Sequence, residues 1–376
     1  MSCDLINLAT PGVAGLHPYQ PGKSVAELER ELGIKDIIKL ASNENPLGSG
    51  EKAKQALLST SELSRYPDGN GHDLKMSLSK LHGVNPDQIT LGNGSNEILE
   101  LITRAISGPQ HEIIFSEHAF AVYPLVTQAV GAKAVVVPAH DWGHDTVAMR
   151  AAINKNSRVM FIANPNNPTG TWLDKQTLRV LLESIPDYMV VVLDEAYFEY
   201  VEEDDYPNCV QWVNEFPQLL VTRTFSKAYG LAGLRIGYGI SHRDIADLMN
   251  RVRQPFNVNS LALSAAEAAL TDREHLQQSI RLNQIGMEKL TSAFDAMNLQ
   301  YIPSVGNFIC VDIKQSGLSG MEIYKRLLHK GVIVRPIDNY GMPNYLRVTI
   351  GLEKENEKFI NALDSVLTEI KAESCS

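Results

Sequence analysis

The sequence predicts an α/β fold: a large, mostly parallel sheet covered by helices on both faces, joined to a smaller α+β domain. Three observations lead there. Between Glu112 and Ile240, short apolar runs alternate with helix-like stretches, the rhythm of βαβ units. Several of those runs are apolar throughout rather than at every second residue, as strands buried on both faces are. Beyond Asn259 the texture changes to helical pattern followed by short strands.

Taken in order, the N-terminal stretch is punctuated by Pro11, Gly12, Pro18, Pro21 and Gly22 and reads as irregular. Ser24 to Leu32 is a short helix with a serine cap and a glycine stop at Gly33. Strands are predicted at Glu112–Phe115 (EIIF), Ala134–Val137, Val159–Ala163 (VMFIA), Met189–Leu193 (MVVVL), Leu219–Arg223 and Ile236–Ile240. Lys175 to Ser184 is an intervening helix. Ser260 to Met297 is dominated by helical pattern. A strand at Phe308–Ile313, a helix at Gly320–His329, strands at Val332–Arg335 and Tyr345–Ile350, and a closing amphipathic helix over Lys354–Lys371 complete the smaller domain.

Bulk properties bound the function. A chain of 376 residues, 44% hydrophobic, exceeds a typical single core and suits two domains. Lys plus Arg total 34 against 44 Asp plus Glu, a net charge of −10, which disfavours nonspecific nucleic-acid binding and anionic membranes. Cys3, Cys209, Cys310 and Cys375 are scattered and form no CxxC pair, so neither a zinc site nor a disulfide framework is expected. With no leader-like N-terminus and no apolar run long enough to span a membrane, a cytoplasmic protein is expected.

Four segments carry chemistry. Thr222–Gly237 reads TRTFSKAYGLAGLRIG and follows a strand. Most lysines are plain surface residues, but Lys227 sits between the hydroxyls of Thr224 and Ser226 and a glycine-rich turn. Arg235 then enters an apolar strand, where a guanidinium needs an anion and a phosphate would satisfy it bidentately. Gly92–Glu97 reads GNGSNE and opens an apolar helix, so Ser95 and Asn96 stand at a helix start with small residues around them, an anion-binding arrangement. Asn164–Gly170 reads NPNNPTG, which alone predicts only a tight turn. Leu193–Tyr197 reads LDEAY and places Asp194 at the carboxyl end of a buried strand, where ligands of α/β sheets bind. A helix cap is the bland alternative for that aspartate.

Together and in this order, the segments resemble the pyridoxal 5′-phosphate (PLP)-dependent aminotransferases of the aspartate aminotransferase-like fold (fold type I), over almost the whole chain from Leu16 to Lys371. The resemblance implies a Schiff base between Lys227 and the cofactor, with the same amine then carrying protons. It implies that Asp194 faces the ring nitrogen and keeps it protonated. Asn167 and Tyr197 would donate to the phenolic O3′. Ser95, Asn96, Thr224, Ser226 and Arg235 would hold the phosphate. Phe120, in HAFAVY, stands where the family carries an aromatic over the ring, often tyrosine; as phenylalanine it can stack but not hydrogen-bond.

The remaining motifs bear on substrate. GLHPYQ (Gly15–Gln20), ASNENPLG (Ala41–Gly48) and SRYPDG (Ser64–Gly69) resemble the histidinol-phosphate aminotransferases. That resemblance implies amino transfer between L-histidinol phosphate and 2-oxoglutarate, giving imidazole-acetol phosphate and glutamate in histidine biosynthesis. It implies Tyr19 and Asn43 near substrate, and Tyr66 reaching the cofactor phosphate of the neighbouring subunit of a homodimer. Arg335 (GVIVRP) and Arg347 (YLRVTIG) lie in apolar strand-like runs and are candidates for substrate anions, with a buried salt bridge as the alternative for either. The implied domain limits are an arm over 1–45 serving the small domain and the dimer interface, a PLP-binding domain over 46–260, and a small domain over 261–376. An aminotransferase for aromatic amino acids and a phosphothreonine decarboxylase share the fold and remain alternatives. A PLP-sensing regulator, which would carry a DNA-binding domain ahead of Leu16, is not expected, and Lys227, Asp194 and Asn167 favour catalysis over sensing.

Overall fold

The computed structural model describes residues 8–18, 22–60 and 62–374. Its centre is a seven-stranded sheet in the order Ile89–Gly92, Gly237–Ser241, Leu219–Thr224, Val190–Asp194, Ser157–Ala163, Glu112–Ser116, Lys133–Val137. Gly237–Ser241 is the one strand of this sheet running against the rest, pairing antiparallel with both neighbours. The other strands are parallel where they meet. Val190–Asp194 and Leu219–Thr224, near the middle, are buried at every residue. The unbroken apolar runs Val190–Leu193 and Leu219–Val221 within them follow from helices on both faces. One face packs Leu178, Leu181, Val191, Leu193 and Val221 against the buried alanines of Ser260–Leu270. The other packs Ile98, Leu99, Phe161 and Val192 against Met249. Removing one such fully buried side chain costs about 2–5 kcal/mol.

A second core belongs to the C-terminal part, where Arg335–Ile337, Met342–Thr349, Phe308–Asp312 and Tyr301–Ile302 form an antiparallel sheet. Leu290, Phe294, Leu327, Phe359 and Leu363 from three helices pack on it. Ile38 and Leu40 belong to the same cluster. Ile38–Lys39 pairs parallel with Val332–Ile333, and Leu28 packs against Leu328 and Ile333. The helix carrying Leu28, Val25–Leu32, starts at a capping box on Ser24 and Glu27 and stops at Gly33 in the left-handed region.

Three departures from the sequence reading have physical causes. The run expected as one strand over Val332–Arg335 is two strands in two sheets. Pro336 has no N–H to donate and suits only an edge strand; Arg335–Ile337 is that edge, with its register shifted at Pro336. The helical stretch over Ser260–Met297 is two helices, Ser260–Leu270 and Arg273–Ala296, broken at Thr271 and Asp272. Ile89–Gly92, at four residues too short to stand out by periodicity, adds an edge strand to the main sheet.

Candidate active site

The carboxyl ends of the parallel strands open toward the small-domain sheet, and one pocket lies between them. Ser95, Asn96, Phe120, Asn167, Asp194, Tyr197, Thr224, Ser226, Lys227, Arg235, Asn43, Arg335 and Arg347 all line it. They come from places as distant in sequence as residues 43 and 347. Gly22 and Tyr340 line it as well and continue into a neighbouring cleft. Tyr66 is not among its lining: it is 81% exposed and stacks on Phe256 with ring centroids 4.7 Å apart. Tyr19 lies outside the described residues.

At the pocket floor, Asp194 ends strand Val190–Asp194 beside Thr222, its partner across the parallel ladder. The Thr222 hydroxyl donates to Asp194 Oδ1 and the Tyr123 hydroxyl to Oδ2, each at 3.0 Å. Burial nevertheless raises the Asp194 carboxyl to about 6, since desolvation outweighs those two hydrogen bonds. Among the described residues no cation forms an ion pair with it.

Lys227 follows strand Leu219–Thr224 and precedes the Gly230 turn. Its Nζ donates to the carbonyl of Ser42 at 3.2 Å and stands 5.5 Å from the centroid of the Tyr197 ring. Burial, helped by the charges of Arg347 and Arg235, lowers its amine to about 7. A neutral amine is thus accessible near neutral pH, which a nucleophile or proton acceptor requires.

An anion cup lies alongside. Helix Ser95–Ile106 starts at Gly94, whose φ of +79° is a glycine conformation. A Cβ on Gly94 would fall 2.6 Å from Nη2 of Arg235, and one on Gly237 would fall 2.4 Å from the Ser95 nitrogen. Arg235 Nη1 donates to Ser226 Oγ at 3.3 Å, and the Ser226 N–H to Thr224 Oγ1 at 3.1 Å. Helix N–H groups, two hydroxyls and a guanidinium therefore converge where only glycine backbone fits.

The opposite wall comes from the small domain and the segment around Ala41. Asn43 Nδ2 donates to the Tyr197 hydroxyl at 2.9 Å, which leaves that hydroxyl's proton for another acceptor. Burial raises the Tyr197 phenol to about 12. Asn43 has φ +54°, a strained conformation for a residue with a side chain. It is held there by Thr349, whose hydroxyl accepts from the Asn43 N–H at 2.9 Å, and by Asn307, whose amide donates to the Asn43 carbonyl at 3.1 Å. Arg347 Nη1 donates to Asn167 Oδ1 at 2.5 Å and Nη2 to the Ala41 carbonyl at 2.8 Å, while its buried Nε has no partner among the described residues. Arg335 stands directly across the ladder from Arg347. Both side chains line the pocket, so two guanidinium groups face its interior.

Sequence reasoning missed Tyr123, Thr222, Thr349, Asn307 and Tyr340. Tyr123 carried a usable signal, lying three residues after Phe120 at the opening of a helix. Thr222 carried another, two residues before Thr224 and so on the same strand face. The other three come from distant segments and carried none.

The family described as aminotransferase class I and II matches residues 35–363 of this chain. A histidinol-phosphate aminotransferase 1 of Nitrosococcus oceani is 56% identical over 97% of this chain and 98% of its own length. A histidinol-phosphate aminotransferase 2 of Pseudomonas fluorescens Pf0-1 is 58% identical over 98% of this chain and 99% of its own. The crystal structure of histidinol-phosphate aminotransferase from Sinorhizobium meliloti in complex with pyridoxal 5′-phosphate superposes with a TM-score of 0.87 at 26% identity, covering 96% of this chain and 98% of that one. The aspartate aminotransferase of Thermus thermophilus, at 20% identity and a TM-score of 0.83, shares the fold. With a matching family signature over most of its length and relatives above half identity, this chain belongs to the class I and II aminotransferases.

Proposed function

We propose that the chain is a PLP-dependent enzyme that moves the amino group of L-histidinol phosphate to 2-oxoglutarate, in histidine biosynthesis. The observation that carries this reading is a single pocket with a proton-handling end and an anion-handling end. Lys227 and Asp194 form the first; Arg335 and Arg347 form the second. Relatives named for that activity at 56% and 58% identity support the substrate.

The residues fit the cofactor. The Gly94 cradle, with Ser95, Asn96, Thr224, Ser226 and Arg235, suits its phosphate. Asp194 is a buried carboxylate supported by neutral donors alone and so suits a cationic ring nitrogen. Asn167 has its amide oxygen occupied by Arg347, leaving its amide N–H, with the Tyr197 hydroxyl, to donate to a phenolic oxygen. Phe120 suits a face-on contact. When bound, PLP supplies an electron sink for a carbanion at the donor's amine-bearing carbon. Lys227 Nζ takes the proton from that carbon and returns it on the far side of the transfer. Arg347 and Arg335 grip the donor phosphate, and Arg347 a carboxylate of the acceptor. Asn43, fixed by Thr349 and Asn307, keeps the Tyr197 hydroxyl aimed.

The same reading divides the chain into an arm over 1–45, a cofactor domain over 46–260 and a small domain over 261–376, working as a cytoplasmic homodimer. No helix among the described residues is long and apolar enough to cross a membrane, and Cys209 and Cys310 are free thiols. Tyr66, exposed and outside its own pocket, would reach the partner's phosphate, with Tyr19 near substrate.

A single half-reaction tests the assignment. The PLP-loaded protein is mixed with histidinol phosphate without acceptor. One equivalent of imidazole-acetol phosphate per site is expected. Faster reaction with an aromatic amino acid, or release of carbon dioxide from phosphothreonine, would overturn it.

A further inference from the structure

Asp194 differs from a buried carboxylate that serves the fold. Glu195, the next residue, is closed by the guanidinium of Arg223 at 2.7 Å. Asp194 instead receives two neutral hydroxyls, one per oxygen. Tyr123 reaches it from helix Val122–Ala129, with no solvent exposure. Its ring lies parallel to Phe161 at 4.6 Å and edge-on to Phe120 at 5.8 Å, which leaves the hydroxyl little freedom. Thr222 is held opposite Asp194 by the ladder itself. A neutral donor stabilises a carboxylate without cancelling its charge, so the negative field still reaches the pocket; an ammonium or guanidinium in the same place would extinguish it.

We infer that Tyr123 and Thr222 are positioning residues that keep Asp194 ionised and aimed at the ring nitrogen of the bound cofactor. The inference rests on the proposed cofactor site and adds a role for two side chains outside the pocket lining. Other ionisable groups acting on Asp194 are Glu195, which opposes its charge, the Tyr197 phenol, and Lys227, which favours it. None of these occupies the two carboxylate oxygens as the hydroxyls do.

The test uses Tyr123→Phe and Thr222→Val in the full chain, each removing a hydroxyl at nearly constant volume. In the cofactor-free protein, the Asp194 carboxyl is followed by its carbon-13 resonance, identified by its disappearance in Asp194→Asn. Each variant is expected to move that titration upward by about one pH unit or more, because a hydrogen bond to the ionised form is lost. In the loaded protein, the nitrogen-15 resonance of labelled PLP is expected to move toward the unprotonated position, as Asp194 draws the shared proton. An unchanged titration and an unchanged ring-nitrogen resonance in both variants, with lowered melting temperature, would reduce the hydroxyls to core packing and overturn the inference. If Tyr123→Phe does not fold, Thr222→Val decides on the other oxygen. Failure of the unaltered chain to bind PLP would instead sink the proposed function, while the carboxyl titration would still report on the two hydroxyls.

Discussion

Arg223 and Arg347 are both buried on apolar strands, 3% and 7% exposed, yet they occupy opposite situations. Arg223, behind the cofactor end of the large domain, donates to Glu195 Oε2 through Nε at 2.9 Å and Nη2 at 2.7 Å, and to Asn208 at 2.9 Å. The Phe198 ring covers it at 3.4 Å. Arg347, in the small-domain wall, has among the described residues only neutral acceptors, Asn167 and the Ala41 carbonyl, and an Nε with no partner. A guanidinium closed by a carboxylate is complete without a ligand. One met by amide oxygens at the wall of a pocket keeps its charge for an anion. The pair teaches that burial by itself does not mark a site; what marks it is burial without a counter-charge.

If the reacting end belongs to the large domain, the largest loss must come there. Lys227→Ala is expected to lower turnover by about 10⁴-fold or more, since on the proposed reading it removes both the covalent attachment and the proton carrier. Single-turnover kinetics checks this, and equilibrium binding should show PLP still held by the phosphate cup. Borohydride reduction of the unaltered loaded protein should fix cofactor on Lys227; labelling of another lysine would break the assignment.

The arginine behind the sheet should answer in stability. Glu195→Ala strands the Arg223 charge and should cost about 3–5 kcal/mol in urea unfolding. Asp194→Asn should do the opposite in the cofactor-free chain. With its carboxyl raised from 3.8 to about 6 by burial, Asp194 imposes no cost below the unfolded value, where both states hold the proton. Stability falls as pH rises from there through about 6, and at pH 8 the charged group costs at most about 3 kcal/mol. The asparagine variant escapes that cost. It should be more stable than the unaltered chain at pH 8, with the gap closing near pH 4. PLP binding should remove the advantage by supplying the missing cation. A gap that ignores pH would mean that Asp194 is not charged in the fold.

The smallest effect separates the two arginines. Arg347→Met keeps most of the volume and removes a charge that has no counter-charge, so unfolding should shift by only about 1 kcal/mol or less. The kcat/KM for histidinol phosphate should drop roughly ten- to a hundred-fold, the worth of a charge-assisted contact at about 1.4 kcal/mol per decade. Unphosphorylated histidinol should lose far less. Equal stability losses for Glu195→Ala and Arg347→Met would erase the contrast.

The sequence by itself determined six of the seven strands of the main sheet, the two cores, and the chemistry-bearing strings around Lys227, Asp194, Asn167 and Ser95. These are local: continuous apolar runs, a helix opened by small residues, a lysine flanked by hydroxyls. Only the tertiary structure decided which buried polar groups are closed by a counter-charge and which meet neutral partners. Arg223 and Arg347 look alike as letters, and what separates them is Glu195 beside one and its absence beside the other. Asn43 is placed near substrate by resemblance alone, and what holds its positive-φ backbone is Thr349, 306 positions away. Run Val332–Arg335 read as one strand and became two, because Pro336 could not donate to a continued ladder. The physical reason is common to all three. Hydrogen-bond and charge satisfaction is a property of neighbours in space, and a strand's neighbours are chosen by the packing of the whole chain.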